Sequence, residues 1–540
     1  SLPSCVIAGP GTGKTKILIE KIRFLIESKI DPQSVVALTF TNKAAEELKN
    51  RIGNVNIFSG TVHSFALHII RLSGINAKII DETGTKIILK KLFPFSDCER
   101  LIKDFSKIRG TLSPYEYPDD NNLKIWLEWL EKNNSLDFDG IIAKAFILID
   151  KNPLVLSGFK FLFVDEFQDI NRMQYLFLHK VAKIFDENIF VIGDPDQSIY
   201  RFRGADPDVF DNFFNDFKNA KRYYLFDNYR SSGIILNAAD RLMKRDLTLR
   251  PFFNKKGSIT LHSFNSEKKE ASFVTEKIIE LLKGRDMLES EKLNLSVDAI
   301  SLNSIGVLAR TELQLRTVAD FLDREGIPWK LRGGRLGIYS PQAQRLINIL
   351  RLYLDSEDPQ ATLFFDNEKD KILSFVKELK KESLTTSELL VRIVDNQKIS
   401  DVDELLSLSE GFEDVESFFK NILSPVDESF ETSRKKISPE SVSLLTLHAS
   451  KGLEFVCVFI LGLNETLIPY YYKDISEEEL EEERRLLYVG ITRASEKVFL
   501  LCRNDLPYSR FLELIKPERI SETKRKTAYQ LELFQNTEKR

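Results

Sequence analysis

The stretch Ala8-Gly-Pro-Gly-Thr-Gly-Lys-Thr15 constrains this chain more than any other. It follows a short apolar run at 5–8 and precedes a segment, 16–28, in which Ile17, Leu18, Ile22 and Leu25 recur at helical spacing. Gly9, Gly11 and Gly13 let backbone N–H groups close around an anion, and the helix N-terminus adds its dipole. Ala8 stands where the phosphate-loop pattern has its first glycine, and Pro10, Thr12 and Lys16 complete the cradle. In such a loop Lys14 meets the β- and γ-phosphates and Thr15 ligates Mg2+. A second apolar run at 35–40 follows the helix, and strands alternating with helices predict an α/β fold with a parallel sheet and crossovers.

The chain has 540 residues, enough for three to four domains with separate cores. Its four cysteines are far apart and its five histidines show no finger spacing, which excludes a zinc ribbon or a disulfide scaffold. Lys and Arg number 77 against 81 Asp and Glu, a formal charge of -4, so any nucleic-acid site must be a local groove. No apolar run approaches the ~20 residues of a membrane span, so no membrane partner is expected. Helical sequence with polar links occupies 71–158, strand signals return at 161–164 and 189–192, and a second alternation begins near 259. Charged, helix-rich sequence interrupts it at 356–438, before apolar runs at 442–447 and 456–461. The expected organisation is one α/β unit at 1–70 and 159–256, split by a helical insertion at 71–158. A second unit at 257–355 and 439–515 is split by a short insertion at 356–438, with a flexible tail at 516–540. The acidic run 476–483 reads as a solvated helix face.

Phe161-Leu-Phe-Val-Asp-Glu-Phe-Gln-Asp169 ends a buried strand in adjacent carboxylates, at the sheet edge where open α/β folds bind ligands. Asp165 is suited to hold Mg2+ through water, and Glu166 to orient and deprotonate an attacking water. Asp165-Glu-Phe-Gln-Asp169 resembles the second motif of superfamily 1A helicases of the UvrD/Rep/PcrA type. The other motifs of that family follow in order: Thr39-Phe-Thr-Asn-Lys-Ala-Ala-Glu-Glu, Gly60-Thr-Val-His-Ser and Gly193-Asp-Pro-Asp-Gln-Ser-Ile-Tyr-Arg-Phe-Arg-Gly-Ala205. Next come Asn228-Tyr-Arg-Ser231, Thr446-Leu-His-Ala-Ser-Lys-Gly-Leu-Glu-Phe455 and Glu483-Arg-Arg-Leu-Leu-Tyr-Val-Gly-Ile-Thr-Arg-Ala494. The resemblance covers residues 5 to about 502.

The resemblance implies two RecA-like P-loop domains, each interrupted by a helical insertion, with ATP and Mg2+ in the cleft between them. It implies that Arg230 and Arg493 are arginine fingers, which can be worth ~10³–10⁵ in rate. Gln197 would sense the γ-phosphate, Tyr229 stack on adenine, and Glu454 contact the nucleotide sugar. Phe40, Tyr200 and Phe202 would stack on bases of single-stranded DNA, at ~1–3 kcal/mol per base. Thr61, His63, Arg203 and His448 would touch the strand. The implied activity is ATP-driven 3′→5′ translocation and DNA unwinding in repair, recombination or replication restart, on single strands and single/double-strand junctions. The alternative is a translocase or motor subunit that strips proteins, or serves a defence or recombination complex, with weak unwinding alone. The resemblance implies a bacterial or phage-like, cytoplasmic, nucleoid-associated protein, a monomer or weak dimer.

Three departures shape these expectations. The family's adenine-reading glutamine motif falls before the first residue here, so either the chain is trimmed or adenine selectivity rests on Tyr229 and its neighbours. The second insertion is short and lacks the duplex-contacting element Thr-Pro-x-Arg-Gly-Ile-Gly, which favours translocation over vigorous unwinding. No nuclease domain follows the last motif. In the tail, Tyr529-Gln-Leu-Glu-Leu-Phe534 resembles a peptide that binds the bacterial sliding clamp, with Gln530, Leu531, Leu533 and Phe534 as anchors. The other reading is a final amphipathic turn packed on the second unit.

Overall fold

The computed structural model describes residues 3–53, 55–111, 118–201, 204–244, 249–283, 300–332, 340–382, 384–400, parts of 402–422, 431–432, 440–471 and 474–520. The first sheet contains β1 (Ser4–Ala8), β2 (Val35–Thr39), β3 (Phe58–Thr61), β4 (Phe161–Val164), β5 (Ile189–Gly193) and β6 (Lys221–Leu225). Their order is β3-β2-β4-β5-β1-β6, all parallel. β2 and β5 are buried along their whole length, as a sheet covered on both faces requires. Alternation then divides the core: Val35 and Ala37 face Leu18, Ile19 and Ile22 of α1 (Lys14–Glu27), while Val36 and Leu38 face Phe65 and Ile69 of α2 (Val62–Leu72).

The second sheet contains β7 (Ser258–Phe264), β8 (Ile305–Ala309), β9 (Trp329–Arg332), β10 (Glu431–Thr432), β11 (Val442–Thr446), β12 (Phe455–Ile460), β13 (Ala494–Arg503) and β14 (Glu518–Ile520). Its order is β10-β9-β11-β8-β12-β13-β7-β14, parallel except for the β9–β10 pair. Leu308, Leu445 and Val458 enter one core, and Val307, Leu444 and Phe459 enter the other. The α/β class and the two parallel sheets agree with the strand–helix alternation of the sequence.

Helices at the junctions pack differently from the expected boundaries. Phe138–Lys151 sends Ile141, Ile142 and Ala145 into the first sheet's core instead of the insertion's. α3 (Gly233–Met243) places Ile235, Ala238 and Leu242 in the second unit's core. Pro341–Leu354 joins the helical core of the second insertion, with Leu346 and Leu350 buried beside Ile372 and Leu389. The shift to charged sequence at 356 marks where exposed faces begin, whereas packing begins one helix earlier. Near the end of that same stretch β10 adds an edge strand to the second sheet.

The acidic run starts α4 (Glu477–Ile491), where Ser476 and Glu479 form a capping box. The start of this run is solvated as expected, although Arg201 N donates to Glu482 and its guanidinium pairs with the exposed Glu478; only Glu483 is buried, against Arg310. Among the described residues no helix is long and apolar enough to cross a membrane.

Candidate active site at the carboxyl edges of two sheets

β4, β5 and β1 are neighbours in the first sheet, so the loops leaving them converge. The phosphate loop leaves β1, Asp165 and Glu166 leave β4, and Asp194 leaves β5. Gly11 (φ 68°) and Gly13 (φ 84°) hold left-handed backbone that turns the loop, and Gly13 caps α1. Thr12 Oγ1 donates to Gly9 O at 2.7 Å, and Lys14 Nζ lies 3.4 Å from Ala8 O and 3.5 Å from Gly9 O. The first turn of α1 carries no acidic side chain, which leaves its N-terminal dipole available to an anion.

Thr15 Oγ1 donates to Asp165 Oδ2 at 3.2 Å, so a hydroxyl and a carboxylate from separate elements share one point. Hard oxygen donors fit Mg2+, which takes one or two such ligands together with substrate phosphates. Burial, with help from the Glu166 charge, pushes the Asp165 carboxyl up to about 7. Burial also acts on Glu166, but Lys14, Lys451 and Arg493 outweigh it and hold that carboxyl below its ordinary value. Glu166, faced by three cations, is thus a carboxylate kept ionised, as a base must be. Gln168 Nε2 donates to Glu166, and Gln168 Oε1 accepts from Asp194 N at 2.9 Å. This link between β4 and β5 was not singled out from sequence, although Gln168 lies inside the quoted motif.

The second sheet supplies the facing wall. Gln197 is buried, with Nε2 on Asp194 Oδ2 at 2.7 Å and Oε1 3.5 Å from Arg493 Nη2. Arg493 is held by Val489 O and Leu453 O, and burial with the nearby Arg230 charge lowers its guanidinium to about 9. Arg230 donates from Nε to Glu454 Oε2 at 3.0 Å, so the two residues expected at the γ-phosphate and the sugar are paired with each other. Asn228 closes the site against the loop: its Nδ2 donates to Pro10 O at 2.6 Å, its Oδ1 accepts from Arg230 N, and Tyr229 N donates to Gly11 O at 2.8 Å.

Lys451 is a site residue to which sequence reasoning gave no role. Its Nζ lies 2.6 Å from Asp169 Oδ2, 2.8 Å from Gln197 O and 5.1 Å from the Tyr200 ring centroid. The signal was present, a lysine within the quoted Lys-Gly-Leu-Glu, but nothing local says which carboxylate a lysine meets across a cleft.

The residues expected along a nucleic-acid track separate into groups. Phe40 stacks on Tyr200 with centroids 5.0 Å apart, and Tyr200 lies 6.5 Å from His448. Tyr200 is only 3% exposed, so Phe40 covers it. Thr61 caps α2 by accepting from Ser64 N at 3.1 Å. His63 stands edge-on to Phe138, and burial pushes its imidazole down to about 4. Phe202 and Arg203 lie outside the described residues, as do Gln530, Leu531, Leu533 and Phe534 of the tail. Arg310, at the carboxyl end of β8, pairs its guanidinium with Glu483 at 2.8 Å and lies 4.9 Å from the half-exposed Tyr470 ring.

Comparison with known proteins covers both sheets. Residues 1–218 match the UvrD/REP helicase N-terminal domain, and residues 223–369 and 362–504 match the UvrD-like helicase C-terminal domain. A protein of Mycoplasma capricolum named "Probable DNA helicase II homolog" is 30% identical across 99% of this chain and 87% of its own. The ATP-dependent DNA helicase PcrA of Bacillus subtilis is 29% identical, over 92% of this chain and 80% of its own. The same-named protein of Staphylococcus epidermidis strain RP62A is 27% identical, over 98% and 86%. The matched domains take in both walls of the cleft, and the chain belongs to the UvrD/REP helicase family.

Proposed function

We propose that this chain is an ATP-driven DNA helicase that moves 3′→5′ along a single strand. The observation that carries this reading is the pair of cross-cleft contacts at Gln197: Arg493 at its amide oxygen and Lys451 at its carbonyl. A residue bonded to Asp194 on one side and to two cations of the other sheet on the other, one of them paired in turn with Asp169, is suited to report the γ-phosphate. Lys14 and the N-terminus of α1 bind the phosphates, and Thr15 with Asp165 holds Mg2+, which supplies charge neutralisation and orientation. Glu166, kept ionised, takes the proton of the attacking water. Arg493 and Arg230 approach from the second unit, so closure of the cleft completes the constellation and hydrolysis releases it.

Movement is proposed to follow from the adjacency of the two functions. Tyr200 stands three residues after Gln197 and packs under Phe40 and over Lys451, which couples the nucleotide cleft to the aromatic ledge. The relatives' names as DNA helicases support unwinding, and the polarity comes from the family resemblance. The short second insertion favours single-strand translocation with modest unwinding.

The test is strand displacement on 3′-tailed and 5′-tailed duplexes by wild type and Glu166→Gln. Wild type is expected to hydrolyse ATP in response to single-stranded DNA and to open the 3′-tailed substrate preferentially. Glu166→Gln should retain ATP binding while losing about 10²–10⁴ in turnover, the range for a general base. Equal opening of both tails would refute the polarity, and unchanged turnover would remove Glu166 from its role.

A further inference from the structure

The segment 249–255 lies across the nucleotide site. Arg250 and Pro251 pair in parallel with Asp227 and Asn228, and Arg250 N and Phe252 N donate to Phe226 O and Asn228 O, each at 2.8 Å. Lys255 Nζ donates to Arg230 O at 3.0 Å. At its other end Leu249 presses on the phosphate loop: a Cβ added to Gly9 would stand 2.8 Å from Leu249 Cδ2. Both ends and the middle of this strap are therefore fastened to residues that form the site.

Its side chains form an aromatic cluster at the mouth of the site. Phe252 lies 4.6 Å from the Tyr229 ring with planes tilted by 38°, and Phe253 stands edge-on to Phe252 at 5.1 Å. Tyr229, Phe252 and Phe253 remain 46%, 57% and 50% exposed. Three contiguous large rings left in water beside a phosphate cradle are costly as bare surface, and they suit an aromatic ligand that covers them. Phe252 and Phe253 carry no hydrogen-bonding atom in their side chains, so they cannot read the edge of a base. They can respond only to the stacked area it offers.

We propose that the strap is the base-selecting wall of the nucleotide site. Phe252 is a positioning residue that holds the Tyr229 ring for stacking, and the cluster favours purine over pyrimidine by ring area. This rests on reading the phosphate loop as an ATP site.

The experiment is competition against an ATP analogue labelled on the ribose, using the full chain and three unlabelled probes: ATP, CTP and inorganic tripolyphosphate. Tripolyphosphate has no base and reports the phosphate loop alone. In Phe252→Ala, ATP is expected to weaken about 3- to 10-fold, the range of one aromatic pair. Tripolyphosphate should hold its affinity and the ATP-to-CTP preference should shrink. In Phe252→Ala the loss should fall on KM for ATP more than on kcat, and Phe252→Tyr should restore wild-type values. If ATP and tripolyphosphate weaken together, the strap merely supports the loop and the proposal is overturned. It is equally overturned if neither moves, or if wild type binds ATP no better than CTP. Failure of wild type to bind either ATP or tripolyphosphate would instead refute the nucleotide site itself.

Discussion

Gly11 shows how one backbone position sets the chemistry of the site. Its φ of 68° lies in the left-handed region, and an added Cβ would stand 2.7 Å from both Arg230 Cβ and Asn228 Nδ2. The conformation alone costs a non-glycine residue roughly 1–2 kcal/mol. Relief of the clash would push Asn228 away from Pro10 O and carry Arg230 with it. Gly11→Ala should therefore weaken ATP binding about 10-fold or more and depress turnover further, because an arginine moves as well as the loop. Gly158→Ala, at a glycine with nothing near its missing Cβ, is the matched control and should bind ATP as wild type does. Equal ATP affinity in the two variants would show that the loop tolerates the methyl. At this scale the sequence displayed the loop, the carboxylates and the arginines, because each is a short pattern whose chemistry is local. It could not display partners across a cleft. Lys451 meets Asp169, Arg230 meets Glu454, and Thr61 is a helix cap before it is anything else.

Among the elements, the strands were the most legible part of the chain. A run such as Val35-Val-Ala-Leu-Thr39, short, β-branched and apolar on both alternating faces, suits a strand covered on both sides, and the alternation with helices made that sheet parallel. Helices at junctions were not legible, because an amphipathic stripe shows that a face is buried but not against what. Pro341–Leu354 is the clearest case, and its contact with the first insertion is polar. Arg351, 3% exposed, pairs with Asp81 of the first insertion and with Asp358 at 3.3 Å. Asp81 also caps Glu82–Leu92 by accepting from Gly84 N at 2.7 Å. Asparagine caps as well as aspartate, so Asp81→Asn removes the charge and keeps the cap. Removing one partner of a buried pair costs ~3–5 kcal/mol when the other ion is orphaned, and Asp358 reduces that here to about 1–3 kcal/mol. Amide hydrogen exchange should accordingly speed up in Glu82–Leu92 and Pro341–Leu354 and stay unchanged in β1 and β5. Unaltered protection would mean that the ion pair contributes nothing to holding the insertions together.

At the scale of the whole molecule, the proposed function asks how a nucleotide between the two sheets would be felt by a strand running over them. Lys451 is the shortest physical route, since one ammonium reaches Asp169, the Gln197 carbonyl and the face of Tyr200. If closure of the cleft shifts that ammonium, both ligands bias the same element, and linkage then imposes a quantitative condition. The factor by which a non-hydrolysable ATP analogue changes affinity for single-stranded DNA must equal the factor by which DNA changes affinity for the analogue. Coupling of this kind is typically about 5- to 150-fold. Lys451→Met keeps the length of the side chain and removes its charge, so the factor should fall toward one in both directions while each ligand alone still binds. Measuring both titrations makes the result self-checking, because linkage requires the two factors to agree in any folded variant, whereas a misfolded one loses affinity for each ligand alone. Should the factor survive in Lys451→Met, Lys451 is not the route, and Arg493 at the Gln197 amide is the next contact to test.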